Sequence, residues 1–62
     1  MIVLEELRIQ ITATQERLVA AVEDDQPYEA ARHRARLEDL IEIAARHDID
    51  VSAWVDRTLL RD

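Results

Sequence analysis

His33 and His47 are the two histidines, the residue type best suited to proton chemistry or metal binding, so they are the natural place to look for either. They stand 14 residues apart, which on one helix is about 21 Å. A single substrate or ion within one subunit cannot meet both. Glu29 and His33 are four apart and share a helix face. Carboxylate-bundle metal motifs instead space Glu and His by three and add further Glu from facing helices. The positions expected to face His33 are Leu18 and Val22, so no metal site is expected. Ser52 is the only serine, with no histidine or carboxylate spaced to activate it. Its type suits a helix N-cap. Glu38 and Glu42 adjoin on one face, but paired catalytic carboxylates need a cleft, which a short chain has little wall to build.

The run Ala31-Arg32-His33-Arg34-Ala35-Arg36 is basic when read in one dimension. On a helix Arg32 and Arg36 share a face while Arg34 points nearly the other way. Glu29, Glu38 and Asp39 surround them, as on a salt-bridged solvent face. Eight arginines against 14 acidic residues leave a net charge of −6, which opposes nucleic-acid binding unless the basic groups segregate. Glycine and cysteine are both absent. Without glycine, phosphate-cradling loops, dinucleotide turns and nucleophile elbows cannot be built in their usual form. Without cysteine there are no disulfides or thiolate metal sites. The expectation is a protein that is not an enzyme, has no catalytic residues, and takes no cofactor, metal or small-molecule substrate.

The elements that carry these residues are helical. Two long stretches, about 3–23 and 27–47, flank Asp24-Asp25-Gln26-Pro27. Proline disfavours helix at the residue before it and suits the first helical position itself. Leu4, Leu7, Ile11, Thr14, Leu18 and Ala21 alternate spacings of three and four. Ala30, His33, Leu37, Leu40, Ala44 and His47 do the same. Folding back at residues 24–27 pairs the two stripes end to end, Leu4 with His47 through Ala21 with Ala30. Each pair matches an a position with a d position of an antiparallel coiled coil. Asp48 stands where a helix usually ends in glycine, and Asp tolerates the left-handed cap. Beyond it, Ser52 is placed to start a short third helix over about 53–60, burying Trp54, Val55, Thr58 and Leu59.

One all-α domain over 1–62 is therefore expected: a coiled-coil-like antiparallel hairpin with a short C-terminal helix. A domain of this size buries only about 60% of its unfolded surface and usually needs extra support. Ile2, Ile9, Ala13 and Ala20 lie opposite the first helix's inner stripe. With Trp54 they form a candidate interface, and a homodimer closing into a four-helix bundle is the expected use. The apolar start is too short and too acidic for a secretory signal, and no window reaches the ~20 apolar residues of a membrane span. A cytoplasmic protein without membrane contact is expected. Its function reads as a protein–protein interaction module or small regulator, with the homodimer or another protein as partner.

Residues 37–60, LEDLIEIAARHDIDVSAWVDRTLL, resemble the helix–turn–helix half of ribbon–helix–helix DNA-binding proteins. In that family a helix ends, a short turn follows, and a serine caps a second amphipathic helix. The resemblance covers under half the chain and implies the alternative function, a small nucleic-acid-binding regulator. The family's basic strand has no counterpart directly before the first helix of the pair. Residues 8–12, RIQIT, alternate like a strand but lie far upstream.

Overall fold

The computed structural model describes residues 3–60, so Ile2 lies outside the described residues. Two α-helices, α1 (Leu4–Glu23) and α2 (Pro27–Arg46), pack against each other. A 3-10 helix, Arg57–Leu60, follows them. No strand occurs among the described residues, so residues 8–12 are helical.

α1 contains many β-branched residues, including Ile9, Ile11, Thr12 and Thr14, which are middling helix formers. Val3 supplies no side-chain cap. Glu5 and Glu6 favour the positive end of the helix dipole, and Arg8 pairs with Glu5. Packing rather than propensity must hold this helix. Its buried residues are Leu7, Ile11, Thr14, Leu18 and Ala21, and those of α2 are Ala30, Leu37, Leu40 and Ala44. Both sets follow the expected inner stripes. Thr14 is buried without penalty because its hydroxyl donates to the Gln10 carbonyl at 2.7 Å.

The stripes open at the ends. Leu4 is 53% exposed and His47 is exposed, so the outermost expected pair does not close. His33 is half-buried at the side of the stripe. Leu4 is the first residue of α1 and His47 caps α2, so neither stands between two helical turns of its own helix.

Both helices end on a left-handed aspartate. Asp25 has φ 54° and Asp48 φ 58°. After α1, the Gln26 amide donates to the Ala21 carbonyl and the Asp25 amide to Val22. After α2, the Ile49 amide donates to Ala44 and the Asp48 amide to Ala45. Each is a Schellman motif that satisfies carbonyls the helix leaves unpaired. Asp48 matches the expected cap, and Asp25 does the same work in the connector. Asp48→Gly and Asp25→Gly are each expected to be neutral or stabilising, by up to about 1 kcal/mol. Urea denaturation midpoints test this; a clear loss at either site means that the carboxylate itself is needed there.

The tail departs from the expected third α-helix. Residues 52–54 form a turn, and helical geometry returns only as the 3-10 helix Arg57–Leu60. Ser52 is not the cap: its own amide donates to Asp50 Oδ1 at 2.9 Å. Asp56 instead opens the 3-10 helix, with its Oδ1 accepting from the Thr58 amide and hydroxyl. Gln15 of α1 explains the break. Its amide donates to the Trp54 carbonyl at 2.5 Å, and its oxygen accepts from the Asp56 amide at 2.7 Å. A continuous helix would need both backbone groups for its own ladder. Val51 and Val55 are buried in the core, while Ile49, Trp54 and Leu59 pack partly buried against it. Thr58, expected on the buried edge, is exposed.

Candidate interaction surface

A two-helix hairpin has two grooves, one on each side of the helix pair, and this tail fills one of them. Gln15 holds the tail from α1, and Arg34 of α2 donates its Nε to the Leu59 carbonyl at 3.1 Å. Neither residue belongs to the apolar stripes. Their only sequence signal is position, since each lies one step beyond its helix's inner stripe on the side where the tail returns.

The second groove is open. It contains two hollows of about 220 and 240 Å³ that share Gln10 and Arg36. One is lined by Val3 and Leu7 with Leu40 and Ile43, and the other by Ile9, Ala13 and Arg17 with His33. Both are smaller than the cavities that enclose drug-sized ligands, of about 300 Å³ and above. A wider depression of about 560 Å³ runs along the outer side of α1, with Val19 and Ala20 at its apolar centre.

The candidate interface residues are thus spread around the molecule. Ile9 is 56% exposed and sits with half-buried Ala13 at the rim of the open groove. Exposed Ala20 lines the outer depression of α1 instead. Trp54 packs on the core from the tail side, so it does not share a surface with Ile9. Val3, Val22 and Tyr28 are exposed apolar groups that the helical stripes did not single out; Tyr28 is 74% exposed. Tyr28 follows Pro27 in the first turn of α2.

The polar residues stand apart from one another. His33 Nε2 lies 3.9 Å from Glu29 Oε2, the expected i,i+4 neighbours, while His47 is exposed at the far end of α2. No three His, Cys, Asp or Glu side chains converge among the described residues. Arg32 reaches Glu29 at 3.5 Å and Arg46 reaches Glu42 at 2.7 Å, both on solvent-facing sides.

Asp56 is the acid on which the tail's local order turns. Its hydrogen bonds from Thr58, side chain first and backbone second, hold its carboxyl below the ordinary value of 3.8. A depressed folded value means stability that is fully present above 3.8 and is lost as pH falls through the lower folded value. Acidification below about pH 4 is therefore expected to loosen the tail before the hairpin. Trp54 fluorescence against pH reads this directly; an Asp56→Asn variant that keeps the same acid transition places the effect elsewhere.

No helix among the described residues is long and apolar enough to cross a membrane. Comparison of the chain with protein-family models, with curated proteins and with solved structures finds no match.

Proposed function

We propose that this chain is a non-catalytic interaction module that works as a homodimer, its helices joining those of a second copy in a four-helix bundle. The observation that carries this reading is the open groove. The hairpin's core is filled on the tail side, yet Val3 and Ile9 remain largely exposed on the other. A chain of 62 residues has a thin core, and a two-fold partner is the commonest way to double one. Any further protein would then be bound by the bundle rather than by a pocket.

Folding and association are linked in such a protein, so its melting temperature is expected to rise with concentration. Sedimentation at high micromolar concentration is expected to give a dimer mass. Ile9→Glu is expected to weaken assembly while leaving the hairpin's helical signal in place. A monomeric mass with a concentration-independent melt overturns the homodimer.

A further inference from the structure

From the charges that flank the open groove, we infer that a second copy of this chain docks there antiparallel, with Glu6 of each copy meeting Arg17 of the other. The inference rests on the homodimer reading above and adds the face, the direction and the contacts.

Glu6 and Arg17 both line the open groove. They are eleven residues apart, about three turns of α1, so they project from nearly the same face about 16 Å apart. Neither forms an ion pair among the described residues, although Arg8, Arg32 and Arg46 all do. Their own helix offers them nothing. Residues three and four away from Arg17 are Thr14, Ala13, Ala20 and Ala21, and those following Glu6 are Ile9 and Gln10. On α2, Arg36 lines the same groove and shares a hollow with Arg17. The groove therefore carries Glu6 near the open end and Arg17 nearer the connector. The midpoint between Glu6 and Arg17 falls near Gln10, where the two hollows meet.

Two symmetric ways exist to lay this face on a copy of itself. A two-fold axis parallel to the helices sets α1 on α2 of the second copy at the same level, so the hollow that holds both Arg17 and Arg36 meets itself, which repels. An axis across the helices sets α1 on α1 and α2 on α2, running oppositely. Glu6 then meets Arg17 of the second copy, twice by symmetry. The same turn brings exposed Ile9 beside Ala13 of the second copy, both at the rim of this groove. Exposed apolar groups are thereby matched along with the charges. Such pairs add little raw affinity but select register and direction, because the wrong arrangement puts like charges together.

Charge reversal tests this on the full chain. The wild type is expected to sediment as a dimer. Glu6→Arg alone and Arg17→Glu alone each create two like-charge contacts per dimer, and each is expected to weaken association about tenfold or more. An equimolar mixture of the two variants restores opposite charges at both contacts, so it is expected to dimerise again, as is the double variant. Circular dichroism confirms that each variant keeps its helices. A wild type that stays monomeric overturns the homodimer and this inference with it. A dimer that ignores the single reversals, or single variants that mixing fails to rescue, overturns the antiparallel docking alone.

Discussion

Leu40→Ala is expected to cost about 2–5 kcal/mol, a large share of what holds a domain of this size folded. Leu40 is 2% exposed and sits in the core with Leu7, Ile11 and Leu37. Truncation removes its transfer free energy and leaves a cavity that the helices cannot collapse without losing register elsewhere. A domain of this length has roughly 3–9 kcal/mol of stability in total. One such cavity therefore consumes much of the margin. Leu4→Ala is the internal control, because Leu4 is 53% exposed and its truncation is expected to cost under about 1 kcal/mol. Urea unfolding followed by circular dichroism measures both. Equal losses at the two positions would show that Leu40 is no deeper in the fold than the exposed end of α1.

Gln15→Ala carries the second large effect, expected to fall on the tail rather than on the hairpin. The variant loses the donor to the Trp54 carbonyl and the acceptor for the Asp56 amide together. Two such bonds are worth about 1–3 kcal/mol in sum at this part-buried site. The tail has few other polar ties to the hairpin, chiefly the Arg34 bond to the Leu59 carbonyl. Detachment is expected to expose Trp54, shift its fluorescence to the red, and speed hydrogen exchange at Val55 and Asp56. The α1 and α2 amides should keep most of their protection. Gln15→Glu keeps an acceptor and loses the donor, so it should fall between. An unchanged Trp54 spectrum in Gln15→Ala would mean that apolar packing of Val51 and Val55 alone holds the tail.

The two effects separate the parts of this fold by where their causes lie. Leu40 belongs to a stripe with helical spacing, so its burial is legible from period alone. Asp48 is legible too, because a helix end without glycine must use one of the few other residues that tolerate positive φ. Asp25 follows the same rule but is masked by the neighbouring Pro27, which draws attention to the start of α2. Gln15 has no such local mark. It is a polar residue on a helix flank, and its role exists only because residues 54–56 return beside it.

The tail shows why a local signal can mislead. Ser52 and the apolar residues after it satisfy the pattern for a capped α-helix, and a free segment has no reason to do otherwise. In the folded chain two of the required backbone groups are taken by Gln15. Asp50 and Asp56 then satisfy the amides of Ser52 and Thr58. Hydrogen bonds 39 and 41 residues long in sequence override the bonds of a helix too short to stand alone. The candidate surface follows the same division. Exposed Ile9 was readable from its place opposite the inner stripe. Which groove stays open, and so which charges share it, depends on the side to which the tail returns.

The sequence by itself determined two helices, their approximate bounds, the central part of their inner faces and the left-handed end of α2 at Asp48. These are set by contacts within three or four residues and by one apolar period. Only the tertiary structure decided the form of the tail, the separation of Trp54 from the outer face of α1, and the placement of Glu6 and Arg17 along one uncovered groove. Those features arise where distant segments compete for the same backbone groups and the same apolar surface, and no local pattern records the winner.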